Sequence, residues 1–287
     1  MTRPESLPVS SRRPAPRLLR LLAAVLALPL LGAVGGCKSG DAATRLTREL
    51  LSMPKEEAYA RGDALVSKRK WQQGRQYLRF VSENYANDPI GKQAALRLAD
   101  SFYEEKTALA LLEAQARYRD FRNRYPSHPK ADYALFRLAQ CADRQAEHPE
   151  RDQTNTRTAA SSYREVLQAY PDSPYSLEAR ARLKAMRNLL AEHEFRVAHF
   201  YVNRRLWKAA GLRFTGLLRA YPDYDKMERT LFEAGLVELK LGREEDALAL
   251  WNRLAQDHPK SALLRKIPKS HRGMLAPKTA EAERAGG

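Results

Sequence analysis

The chain has 287 residues, 44% of them hydrophobic, with 50 Lys and Arg against 34 Asp and Glu and a formal charge of +16. That composition suits a globular chain of one or two domains. The basic excess would make nucleic acid a candidate partner. The Arg residues, however, are spread through every helical segment and gather in no single stripe, so no nucleic-acid binding is expected.

Residues 1–36 read as a targeting segment. Arg12, Arg13, Arg17 and Arg20 precede an apolar stretch over 21–34 that Pro29 interrupts, too short to cross a bilayer comfortably. The stretch ends Leu31-Gly32-Ala33-Val34-Gly35-Gly36-Cys37. A Cys preceded by small residues at this place resembles the bacterial lipobox, which implies that Cys37 becomes the acylated first residue of the mature chain. The other reading is an ordinary signal peptide, or a short anchor, with a Cys nearby by chance. The Ser11-Arg12-Arg13-Pro14 run brushes the twin-arginine pattern, but Pro14 and Pro16 stand where apolar residues belong. Cleavage before Cys37 would leave 45 basic and 33 acidic residues, a net +12. Several acyl chains (palmitate among them) would hold the protein durably at a membrane where one would not. No Asp follows the Cys, so the expected address is the periplasmic face of the outer membrane. Residues 37–54 read as the acylated Cys and a flexible tether, closed by Pro54.

From Lys55 onward the hydrophobic period is helical, with essentially no strand alternation. Helix pairs are expected at 55–68 and 71–85, 90–105 and 108–125, and 130–146 and 155–170. A long helix over 174–203, roughly 45 Å at 1.5 Å per residue, pairs with 207–221, and the last pair is 226–241 with 243–257. One pattern recurs in the second helix of every pair: a small residue, an aromatic or Leu four on, an apolar residue three further, then Pro or Ala. The sets are Gly74/Leu78/Val81/Ala86, Ala114/Tyr118/Phe121/Pro126, Ala159/Tyr163/Val166/Pro171, Ala210/Phe214/Leu217/Pro222 and Ala247/Trp251/Leu254/Pro259. A fixed offset repeated down a chain marks stacked units that cannot bury their faces alone. The small residue lets the two helices of a unit come close, and the aromatic fills the groove beside it. Gly62, Ala198 and Gly235 stand twelve residues earlier, in the first helix. This resembles the tetratricopeptide repeat and implies an all-α fold, a right-handed α-solenoid of about five tetratricopeptide-like helix pairs. The domains expected are N-terminal repeats over 55–146, C-terminal repeats with the long connecting helix over 147–267, and a disordered tail over 268–287.

Catalytic and metal signals are missing. His193-Glu194 begins like a zinc-protease motif, but the next His is His199, and six helical residues turn roughly 600°, onto a different face. No zinc Cys pair, phosphate-cradling Gly loop or nucleophile elbow is present, so the chain reads as a non-enzyme without metal or cofactor. Cys141, on an apolar helical face, reads as a buried small hydrophobe.

The central stretch is more specific. Tyr170-Pro171-Asp172-Ser173-Pro174-Tyr175, Leu190-Ala191-Glu192-His193-Glu194, Val197-Ala198-His199-Phe200-Tyr201, then Trp207, Ala209-Ala210, Arg213 and Tyr221-Pro222-Asp223 follow in an order and spacing that resemble the BamD family, the lipoprotein of the outer-membrane β-barrel assembly machine. The resemblance covers about 37–260 and is strongest over 155–225. It implies a lipid-anchored periplasmic scaffold whose C-terminal repeats dock on the periplasmic domains of the barrel-forming core subunit. Its N-terminal repeats would engage C-terminal segments of unfolded outer-membrane proteins. Arg213 matches the family's Arg facing the core subunit; the other reading is an Arg covering an apolar face with its stem. Glu194 also matches, as a partner contact or as a group ordering Arg residues across the groove. Tyr85, Tyr103, Tyr118 and Tyr125 are candidates for lining a client groove, with repeat core as the alternative. The competing function is another periplasmic tetratricopeptide scaffold coordinating division or peptidoglycan synthesis. Such proteins typically carry a coiled-coil segment and a cleavable signal. The absence of sustained heptads and the presence of Cys37 count against it.

Overall fold

In four of the five helix pairs the second helix ends two residues before a proline. The structure, a computed structural model, describes residues 38–275. It contains α1 (Lys38–Ser52), α2 (Lys55–Ser67), α3 (Trp71–Asn84), α4 (Pro89–Glu105), α5 (Ala108–Arg124), α6 (Ala131–Asp143), α7 (Thr154–Ala169), α8 (Ser176–Asn203), α9 (Trp207–Ala220), α10 (Met227–Lys240) and α11 (Glu244–Asp257). A 3-10 turn (Ala262–Lys266) and a short α12 (Lys269–Arg272) follow, and no strand occurs among the described residues. The second helix of each pair stops one residue short of Tyr85, Tyr125, Tyr170, Tyr221 or His258, each of which stands directly before the repeated Ala or Pro and leaves helical geometry with φ between −124° and −137°. Steric pressure from the proline ring accounts for this in four of the five. Asp88 then starts α4 by accepting from the Ile90 N–H at 2.9 Å, with Pro89 at the first helical position.

Each helix from α2 to α11 packs mainly on its neighbours in sequence, which makes the fold an all-α solenoid. The repeated sets form its interior. Gly74 is buried, Ala114, Ala159, Ala210 and Ala247 are fully buried, and the groove fillers Leu78, Tyr118, Tyr163, Phe214 and Trp251 are each at most 1% exposed. Close approach is literal in the first pair. A Cβ on Gly74 would lie 2.7 Å from the Gly62 carbonyl oxygen. The long α8 serves two packing partners in turn. Ala179, Met186 and Leu190 join the core with α7, and Ala191, Phe195 and Ala198 the core with α9 and α10.

Two segments differ from expectation. Residues 38–52, expected within a tether, are helical as α1. The chain divides into units at 1–47 and 48–287, and within the second Leu50 is buried while Glu49 accepts from Arg61 Nη1 and, at 3.1 Å, from the Tyr77 hydroxyl. The beginning of the expected tail is also folded. Ile267 is 1% exposed beside Trp251, and His271 packs edge-on to that indole and pairs with Glu244. Stacked repeats need their terminal apolar face covered, and this segment covers it. Cys37, the leader and residues 276–287 lie outside the described residues.

Candidate functional site

Fully buried Ala198 and Ala210 let α8 and α9 lie close, and that approach sets Glu194 opposite Arg213. Arg213 Nη1 donates to Glu194 Oε2 at 3.1 Å, with the side chains 45% and 28% exposed. An exposed pair of this kind contributes at most about 1 kcal/mol. Its consequence is orientation: the guanidinium is held by one nitrogen, and its other donors carry no hydrogen bond among the described residues. Leu212 beside it is 77% exposed. Nearby, burial and the Glu194 carboxylate push the Tyr221 phenol up, while Arg187 and Arg157 act in the opposite direction.

Two residues earlier, Glu192 faces another way. It accepts from Lys226 Nζ at 2.7 Å, from Arg196 Nε at 2.9 Å and from the Tyr224 hydroxyl, stapling α8 to the start of α10. Burial pushes its carboxyl up, but the three donors together outweigh that and hold it below the usual range. His193 and His199 also part company. His193 Nδ1 donates to the Pro149 carbonyl at 2.6 Å, and His199 pairs with Glu233.

The four candidate groove tyrosines separate. Tyr118 is fully buried, its hydroxyl donating to Asp100 at 2.5 Å, and Tyr103 is 6% exposed. These two are corrected to core: Tyr118 is the groove filler between its own two helices, and Tyr103 is enclosed between α4 and α6. Tyr85 and Tyr125 are half-buried at the turns that follow α3 and α5. The Tyr125 hydroxyl donates to the Ala86 carbonyl at 2.8 Å, and the Lys55 ammonium lies 5.7 Å over the Tyr85 ring.

A second arrangement escaped the sequence reading. Arg137 of α6 stands 4.6 Å from the Tyr103 ring and 5.1 Å from the Tyr133 ring, and the Arg144 guanidinium lies 3.7 Å from the Tyr103 ring. Arg137 Nη1 donates to Gln140 at 2.9 Å, but its Nε is buried without a partner among the described residues. Guanidinium groups held on aromatic faces present planar donor forks suited to carboxylates. The Tyr133–Arg137 spacing of four was legible; that Tyr103, on a different helix, completes the stack was not. Cys141 lies in the interior nearby, its thiol pushed up to about 12 by burial.

A family profile described as YfiO, outer membrane lipoprotein, matches residues 51–266. A protein of Haemophilus influenzae named outer membrane protein assembly factor BamD is 25% identical over 224 residues, covering 75% of this chain and 82% of that protein. Its namesake in Vibrio cholerae is 28% identical over 192 residues, 62% of this chain and 77% of the relative. In Caulobacter vibrioides the figures are 25% over 224 residues, 78% and 72%.

Proposed function

Because the chain belongs to the YfiO outer membrane lipoprotein family, we propose that it is an outer membrane protein assembly factor, a lipid-anchored periplasmic scaffold that works by holding partners and not by catalysis. Cys37 is the acylation site and the outer membrane the address. The core subunit of the barrel-assembly machinery docks through its periplasmic domains on the α8–α9 surface, where Arg213 offers its free donors to a carboxylate and Glu194 aims it.

The observation that carries this reading is the Glu194–Arg213 pair. It is weak in itself and half exposed, and it sits beside the exposed Leu212. A charged fork next to an apolar anchor is the composition of a docking surface. Unfolded outer-membrane proteins are the proposed clients of the N-terminal pairs, with Tyr85 and Tyr125 half-buried at the turns and the Arg137 and Arg144 guanidiniums, held against the buried Tyr103 ring, as the cations suited to a terminal carboxylate.

The test is affinity purification of the tagged, membrane-anchored protein from mild detergent, beside the Arg213→Glu variant. Recovery of the barrel-assembly core subunit by wild type, cut at least about tenfold in the variant, is expected, since opposing a buried interfacial carboxylate costs several kcal/mol. Equal recovery keeps the function and removes Arg213 from the contact. Recovery by neither leaves the chain a scaffold of another periplasmic assembly.

A further inference from the structure

The turns that join the two helices of a pair contain an unexpected choice. Arg69, Lys106 and Arg205 occupy the left-handed region, at φ of 58°, 65° and 57°. The last pair puts Gly242 (φ 74°) at the same place, the residue that adopts this conformation without strain. At the next position, where a Ser, Thr, Asp or Asn side chain would cap the second helix, α3 has Lys70 and α9 has Leu206, and neither provides a side-chain cap. Two local rules are broken in the same turn, at residues 69–70 and again at 205–206. Such departures are expected where a surface is used.

The α8–α9 turn has further features. Arg204, Arg205 and Lys208 are exposed, and Leu206 and Phe200 are 50% and 48% exposed, with the Arg204 guanidinium 3.6 Å over the Phe200 ring. Half-buried Trp207 forms one wall of a cavity of about 330 Å³ with Val202, Phe232, Leu236 and Val237; Lys240 lines it too, as do His199 and Glu233, which pair with each other. The cations alone would suit an acidic protein equally well; what sets this turn apart is their interleaving with the exposed Phe200 and Leu206 and with Trp207, which is half-buried behind them. Cations interleaved with Trp, Phe and Leu are what a protein presents to the headgroup layer of a bilayer.

We propose that the α8–α9 turn, through Phe200, Arg204, Arg205, Leu206, Trp207 and Lys240, rests on an anionic phospholipid surface. The cations meet lipid phosphates and the apolar side chains enter the headgroup boundary. The proposal rests on the lipid-anchored reading above to bring the bilayer within reach, and it adds a second attachment that orients the solenoid.

The chain's three Trp residues make the test direct, because Trp251 is fully enclosed and Trp71 can be replaced. The full acylated protein carrying Trp71→Phe is reconstituted in vesicles with brominated acyl chains, either pure phosphatidylcholine or a mixture with phosphatidylglycerol. Vesicle partitioning reports the anchor, and quenching of Trp207 reports the turn. Quenching of about twofold is expected in anionic vesicles, with little in neutral ones. It should be lost in 0.5 M salt and in the Arg204→Glu/Arg205→Glu variant of unchanged helical content. Partitioning without charge-dependent quenching overturns the proposal while leaving the anchor intact. Failure to partition overturns the anchored reading and this proposal with it. If Trp207 stays unquenched while the charge-reversed variant loses a co-purifying protein, the turn is a protein contact.

Discussion

Glu192 and Glu194, two residues apart on one helix, show how neighbours assign unlike roles to identical side chains. Glu192 is 15% exposed and takes three donors, so it acts as a staple; Glu194 takes one donor and aims it. The Glu192 carboxyl is held below its ordinary value of 4.5. A depressed acid contributes stability that is fully present above the unfolded value and is lost as pH falls through the folded one. Glu192→Gln should therefore cost about 2 kcal/mol at neutral pH, the scale of hydrogen bonds to a charged group. The gap to wild type should narrow below pH 4.5 and close at lower pH. Chemical denaturation at several pH values checks this, and a gap independent of pH would remove charge from the explanation. The tyrosines give the matching lesson in reading sequence. Tyr118 is identifiable as core from its place four residues after Ala114, and Tyr85 is marked as a helix-end residue by Ala86 after it, whereas the enclosure of Tyr103 within α4 is not local, because it depends on Arg137 and Arg144 of the next helix pair.

Helix pairs are where periodicity reads best. All ten helices from α2 to α11 begin and end within three residues of the expected positions, since Pro, the small residues and the apolar period are local signals. Gly235 tests the steric part of that reading. A Cβ there would lie 2.3 Å from Trp251 Nε1 and 2.6 Å from its Cε2, while that indole is fully buried and donates to the Phe232 carbonyl at 3.2 Å. Helix propensity favours Ala over Gly by about 1 kcal/mol. Overpacking typically costs 1–3 kcal/mol, and an indole enclosed and hydrogen-bonded in place has little room to yield. Gly235→Ala should thus lose about 1–2 kcal/mol net in denaturant unfolding, the upper part of the difference between the two; a stabilising result would refute close packing as the reason for glycine. The helix over 38–52 was not expected because it opens on Lys38-Ser39-Gly40-Asp41, the composition of a linker, although Leu46 and Leu50 stand at helical spacing.

Across the molecule, sequential packing makes stability local. Ile267, 1% exposed, closes the last pair against Trp251. Ile267→Ala should cost about 2–4 kcal/mol for the cavity it leaves. In native-state hydrogen exchange the loss should concentrate in α10 to α12, with α2 to α5 nearly unchanged, because each repeat feels only its neighbours. Uniform loss of protection along the chain would show instead a cooperative unit longer than the pairs.

By itself, the sequence determined the all-α class, the helix pairs and the identity of the interior, because helical period, proline and small-residue spacing act over a few residues whatever the surroundings. It also contained the family's central stretch. Tertiary structure alone decided which charges meet. Glu194 and Arg213 are 19 residues apart, Arg137 and Tyr103 belong to different pairs, and the folded start of the tail exists because the last repeat has an apolar face to cover. The cationic left-handed turns at Arg69, Lys106 and Arg205 are likewise a product of closing three of the helix pairs. No local preference of Arg or Lys favours that conformation, so only the packed helices on either side impose it.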